Sequence, residues 1–351
     1  LGDVYKRQLQ LGDASGDTLT FNGGLTTTSV GGTVTLNGTI ATSNDAIVLG
    51  AVTLGSATTI DTDASDTTGD ITIGAVTGGS NSLTLSTGDN VANTDITASG
   101  AISGVTTLTL ADVGGTATLS ADVDVSTLTV GSTVANVAFT GNGSSVTNAF
   151  TPANDGTFVF GTSGGTQTYN AGLTTTSVGG TVTLNGTIAS SDDAITLGAV
   201  TLGSATTIDT NSTTTNRADI TIGAVTGGSQ NLTLSTEDNI TGADITASGA
   251  ISSVSALTLN NVGGTATLSG DVDAESLTVD NTVANVAFTG NGSSVTNAVS
   301  FANDGTLTLG QDGGTQTYNA GLTTTSVGGT VTLNGTIATS DDAVVLLSLI
   351  H

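Results

Sequence analysis

The side chains best suited to chemistry are carboxylates, and four of them are crowded together. Asp61, Asp63, Asp66 and Asp70 share the stretch DTDASDTTGD. Oxygen donors at that density could coordinate calcium. A later copy of the stretch carries Asp209, Asn211 and Asp219 with Arg217 beside them, and a guanidinium there works against a bound cation. Neither copy has the glycine and distal glutamate of a helix–loop–helix calcium loop, nor a GGxGxD nonapeptide. A solvated turn is therefore the expectation, with calcium as the alternative and no other cofactor implied.

Asp45, Asp193 and Asp342 occupy one position in three copies, as SNDA, SDDA and SDDA. Paired acids can cleave glycosidic bonds, but a hydrolytic site is one constellation in one cleft, and these acids recur. The only histidine is His351 and the only lysine is Lys6. A serine–histidine pair is thus excluded from the body of the chain. No catalytic residue is expected, and the protein is read as a non-enzyme.

Asn37, Asn185 and Asn334 begin N-G-T sequons, and Asn142 and Asn291 begin N-G-S sequons. Each could accept a glycan on a secreted chain. Asn-Gly is also a turn signal, which is the preferred reading. Tyr169 and Tyr318 recur in TQTYNAGL, and Phe139 and Phe288 in VANVAFTG. Such regular recurrence points to aromatic stacks in a core.

These positions recur because the chain is a tandem repeat. Thr26–Ala41, TTTSVGGTVTLNGTIA, returns letter for letter at 174–189 and at 323–338. The spacing is 148 residues and then 149, the extra residue lying between DTDASDTTGD and DTNSTTTNRAD. An insertion confined to a turn is how repeat arrays absorb length changes. The reading divides the chain into 9–24 (end of one repeat), 25–172, 173–321 and 322–346, with 9–346 one continuous solenoid.

Within a repeat, runs such as TVTLNGTI, DITIGAV, SLTLSTG and GTATLSADV alternate small aliphatics with Thr or Ser. Period-two alternation marks half-buried strands, and Gly, Asn, Asp and Ser between the runs mark turns. Nothing recurs at helical spacing, and the one proline is Pro152. Related phrases return every 20–25 residues or so, as expected for one coil each. Val34, Leu36 and Ile40 should then face inward, with Thr33, Thr35 and Thr39 outside. Equivalent strands of all copies are expected in register. With 3% aromatic residues and no Trp, the core must be narrow. There is no cysteine, which excludes disulfides and thiolate metal sites.

Leu1–Gln8 (LGDVYKRQ) and Leu347–His351 (LSLIH) read as the translated strands of one sequencing adapter and are set aside from the fold. The expectation is a fragment of a longer protein. Without Asp3, Lys6 and Arg7, the 29 acidic and three basic residues become 28 acids against Arg217 alone. So negative a chain is a poor partner for nucleic acid or anionic membranes, and no apolar run is long enough to span a bilayer.

GGTVTLNGTI, GDITIGAVTGGSNSLTLSTGDN and GGTQTYNAGLTT resemble the repeats of filamentous-haemagglutinin-like exoproteins and autotransporter-type adhesins. The resemblance implies an all-β, right-handed parallel β-helix exported to the bacterial surface. There it would serve as a secreted or surface-anchored stalk or adhesin. Expected partners are a host or neighbouring cell surface, matrix or polysaccharide, and end-to-end contact with further copies of the chain. The alternative is a module whose Thr-rich faces bind carbohydrate or ice.

Overall fold

The computed structural model describes residues 8–88, 91–211, 217–237 and 241–346. The two adapter-like ends, Gln8 excepted, lie outside them. The described residues hold no helix, and every named strand pairing is parallel. The chain is an all-β parallel β-solenoid. It divides into two compact units, Leu1–Gly161 with Ser177–Thr181, and Thr162–Thr176 with Val182–His351.

In the first unit each coil contributes strands to three columns. One column runs Leu25, Ile47, Ile71, Ile96, Ala117, Val137 and Phe158. A second runs Val34, Val52, Val76, Ile102 and Val123. The third stacks Ile40, Ile60, Leu85, Leu110 and Val130. Like stacks on like because a period-two strand in parallel register places the same side-chain direction at the same height in each coil.

Val34, Leu36 and Ile40 are 2%, 0% and 0% exposed, while Thr33 is exposed and Thr35 and Thr39 are half-buried. The inward–outward alternation expected from the sequence is what the chain adopts. Coil length varies, from 18 residues between Val34 and Val52 to 26 between Val76 and Ile102, so the coils extend slightly beyond the expected interval at both ends. Long strands such as Val34–Thr42 serve two columns by bending at a register shift after Leu36, where Gly38 takes φ 70°. Glycine adopts that angle without a Cβ clash.

The aromatic residues fill the coils. Phe139, Phe288, Tyr169 and Tyr318 are at most 1% exposed. Phe158 stacks on Phe160 with centroids 4.0 Å apart, and Phe150 meets both edge-on. The buried Tyr318 hydroxyl donates to Gln316 Oε1 at 3.1 Å, and Gln316 Nε2 donates to the carbonyls of Phe288 and Gly290.

One relation departs from the expectation that equivalent strands stay in register. In the second unit a column runs Leu173, Ile195, Ile220, Ile245, Ala266, Val286, Leu307 and Val331. Val331 is the repeat equivalent of Val182, yet Val182 lies in another column with Val200 and Val225. Likewise Leu322, the equivalent of Leu173, stacks between Val299 and Val344. Six coils bring the chain from Leu173 to Leu307, and the strands Thr315–Tyr318 and Leu322–Thr323 then carry it two columns further. A repeat thus closes after six coils and two-thirds of another. Equivalent strands are displaced by one column because a 149-residue period is not a whole number of coils.

Candidate functional site

Asp70, Asp95, Asp219 and Asp244 sit at corners, each directly before a strand of the next column. A side chain there has two sets of neighbours: its own turn, and the same corner one coil away. Asp70 and Asp95 illustrate the second. The main-chain N–H of Asp95 donates to Asp70 Oδ1 at 2.9 Å, and that of Thr116 donates to Asp95 Oδ1 at 2.7 Å. The same ladder recurs in the second unit, from Asp244 to Asp219 at 2.8 Å and from Thr265 to Asp244 at 2.7 Å. Further along, Asn136 and Asn285 take the acceptor role for Thr157 and Thr306. These side chains satisfy N–H groups beside the strand ladder, which water or a side chain must otherwise meet.

The other acids of the expected calcium cluster turn to different partners. Asp61 Oδ1 accepts the main-chain N–H of Asp63 at 2.9 Å and the Ser86 hydroxyl at 3.4 Å. Asp66 Oδ1 accepts both the N–H and the hydroxyl of Thr68, and these two bonds hold its carboxyl below the usual range. Asp63 adopts φ 44°, a turn conformation that short polar side chains tolerate. Asp61, Asp66 and Asp70 therefore spend oxygens on three separate turns or corners. In the second copy Asp209 repeats the Asp61 turn by accepting Asn211 N–H at 2.9 Å. Among the described residues no three His, Cys, Asp or Glu side chains gather as a metal site.

Asp209 differs from its counterpart in one way. Glu237 approaches it where the first copy has Gly88. Burial, chiefly, and then the Glu237 charge outweigh the Asn211 bond and push the Asp209 carboxyl up to about 6. Desolvation and like charge both disfavour the ionised form.

Asp45, Asp193 and Asp342 act through their backbone. Their carbonyls accept the hydroxyls of Thr42, Ser190 and Thr339, each three residues earlier. That is turn chemistry repeated three times.

The sequon asparagines divide by environment. Asn37 is 5% exposed and its Nδ2 donates to the Gly12 carbonyl at 3.0 Å. Asn185 and Asn334 are half-buried, and Asn142 and Asn291 are exposed. In both exposed copies the sequon serine is 2% exposed, its Oγ accepting Val123 or Val272 N–H at 3.0 Å.

Two shallow grooves repeat between the units. One, of about 280 Å³, lies around Ser80, Val105, Asp124 and Ser145, and the other, of about 390 Å³, around Ser229, Val254, Asp273 and Ser294. Both form where a register shift bends the strand, between Ser103 and Val105 in one unit and between Ile251 and Val254 in the other. They bring together hydroxyls and carboxylates, including Glu275, which accepts the Ser255 hydroxyl at 3.1 Å.

The sequence reading overlooked the corner ladder Asp70–Asp95–Thr116 and the internal pair Gln316–Tyr318. It also overlooked Asn154 and Asn303, wholly buried, whose two Nδ2 protons are shared among three carbonyls in each case. Recurrence of each at 149 residues was the available signal. Comparison of the chain with protein-family models, curated proteins and solved structures finds no match.

Proposed function

We propose that the chain is a structural and adhesive stalk segment of a bacterial surface protein, of the filamentous-haemagglutinin-like or autotransporter type, working outside the cell without catalysis. The observation that carries this reading is the use made of polar side chains. The corner carboxylates and amides bond across coils, as Asp70 does with Asp95 and Asn136 with Thr157, so the polar groups join coil to coil. A fold whose every coil contacts its neighbours in the same way extends by repetition, and such extension suits display at a distance. Its partners would be another cell's surface, matrix or polysaccharide.

The test is display of the chain on a bacterium lacking its own adhesins, through a heterologous outer-membrane anchor, with a peptide tag at the distal end. The expected results are tag exposure beyond the surface polysaccharide, increased attachment to cells or matrix, and no loss of polymer length in polysaccharides incubated with the protein. Polysaccharide cleavage, or attachment no greater than with the anchor alone, would overturn the reading.

The second reading, carbohydrate or ice binding, has its own observation. Thr39, Thr59, Thr84, Thr109 and Thr129 stack in one outward column. The positions two residues on are Ala41, Asp61, Ser86 and Ala111, so no second Thr row runs beside the first. Thermal hysteresis of a solution of the chain, or retention on a polysaccharide column lost in Thr84→Lys, would favour this reading.

A further inference from the structure

Six Asn-Gly pairs occur in the chain, at Asn22, Asn37, Asn142, Asn185, Asn291 and Asn334. Asn-Gly is the dipeptide in which the following backbone nitrogen most easily reaches the asparagine carboxamide, because glycine has no Cβ to obstruct the approach. The pairs differ in what surrounds that nitrogen. Gly143 N–H donates to Asp122 Oδ1 at 2.7 Å, and Gly292 N–H donates to Asp271 Oδ1 at 2.6 Å. Both separations lie within the range required of a general base and the proton it removes. Asn142 and Asn291 are exposed, so water can reach the departing amide. The next residue, Ser144 or Ser293, is buried and its hydroxyl accepts a strand N–H, which fixes the turn.

We propose that Asn142 and Asn291 are self-deamidation sites, with Asp122 and Asp271 as the bases that activate the attacking Gly143 and Gly292 nitrogens. The amide N–H lies in the peptide plane, pointing at the carboxylate, while the nitrogen attacks through its π face, perpendicular to that plane. Removal of the proton and attack are thus geometrically compatible. The Gly143 nitrogen bonds to Asn142 Cγ as Asp122 takes its proton. The Cγ–Nδ2 bond then breaks and ammonia leaves, with the proton returned from Asp122, to give a succinimide. Water adds to either ring carbonyl and opens it to an aspartyl or isoaspartyl residue at position 142. The net change is one water consumed and one ammonia released, with no oxidant or other co-reactant. The same steps apply at Asn291.

Two of the remaining pairs, at Asn22 and Asn37, provide contrasts within the same molecule. Asn22 is exposed, but among the described residues no carboxylate accepts the Gly23 N–H. Asn37 is buried with its amide held by the Gly12 carbonyl, so its leaving group is shielded from water.

The test is incubation of the full chain at neutral pH and body temperature, with peptide mapping by mass spectrometry and enzymatic detection of isoaspartate. Conversion at 142 and 291 is expected to outpace conversion at 22 and to exceed that at 37 by about tenfold or more, the lower bound for a positioned base being larger still. Asp122→Asn is the decisive variant. Asparagine can still accept the Gly143 N–H, as Asn136 accepts that of Thr157 at 3.0 Å, but it is far less basic. Conversion at 142 should fall about a hundredfold, while that at 291 in the same sample stays unchanged. An unchanged or faster rate at 142 in Asp122→Asn, or fastest conversion at 22 in the parent chain, would overturn the proposal. A variant that raised conversion at 37 would reveal unfolding, and Asp271→Asn read at 291 then decides the same question in the other unit.

Discussion

Asp95 donates its main-chain N–H to the carboxylate of Asp70, its neighbour one coil away, and Asp244 does the same to Asp219. Ile71, directly after Asp70, donates its own N–H to the Asp95 carbonyl at 2.9 Å. The two coils are thus tied at the corner in both directions. Asp70→Ala should cost about 1–2 kcal/mol, in the range of a lost charge-assisted bond whose donor can turn to water. Asp70→Asn should cost under about half of that, because an amide oxygen serves the same N–H. Urea unfolding of the two variants measures the difference, and equal losses would show that charge rather than acceptance matters.

Asp209 gives the second unit a pH dependence. Its carboxyl is raised in the folded chain to about 6 from the usual 3.8. Folding therefore favours its protonated form. That contribution is fully present below about pH 4 and is lost as the pH rises through about 6. Asp209→Asn should raise the melting temperature above pH 6 and flatten the profile between pH 4 and 6. Glu237→Gly should act the same way, and it also relieves a non-glycine residue at φ 49°. Melting curves across this window decide it, and identical profiles for parent and variants would refute the assignment.

Salt should stabilise the chain with little regard to the cation. The crowded acids of the first repeat spend their oxygens in separate turns and corners, as Asp66 does with Thr68 and Asp70 with Asp95. Repulsion along an acidic chain is relieved by ionic strength alone. Sodium chloride and millimolar calcium at equal ionic strength are expected to raise the melting temperature equally. A larger calcium effect that disappears in Asp61→Ala with Asp63→Ala would establish a calcium site.

The last described coil presents Leu333, Val344, Val345 and Leu346 to solvent, the large hydrophobic residues found exposed. Its strands Val331–Leu333, Thr336–Ala338 and Val344–Val345 each have one strand partner among the described residues. Open parallel edges with apolar residues template another chain. A protein of this sequence should associate end to end, and more so as salt screens its charge. Sedimentation against concentration tests this. Val344→Lys with Leu346→Lys should return it to a monomer, and a parent that stays monomeric at high salt would refute the expectation.

The strands were legible because alternation is local. Val34, Leu36 and Ile40 announce an inward face by spacing alone, and that face is buried. The polar contacts were not legible, because adjacency in a solenoid runs across coils. Asp70 has Asp66 near it in sequence, yet its carboxylate accepts from Asp95, 25 residues away. A cluster read along the chain is therefore dispersed in space. The displacement of Val331 from the column of Val182 was hidden for a related reason. It depends on how many residues each turn consumes, and coils of 18 to 26 residues make that total unreadable from the repeat length.

That displacement bears on avidity. Thr174 and Thr323 are the same residue of successive repeats, yet they belong to different columns of one unit. A rigid multivalent partner approaching from one side could grip the surface around Thr174 and would find its duplicate turned away. Adding repeats of this length would raise the number of sites without raising the number a flat partner can hold at once. Successive copies would favour several independent partners arranged around the chain.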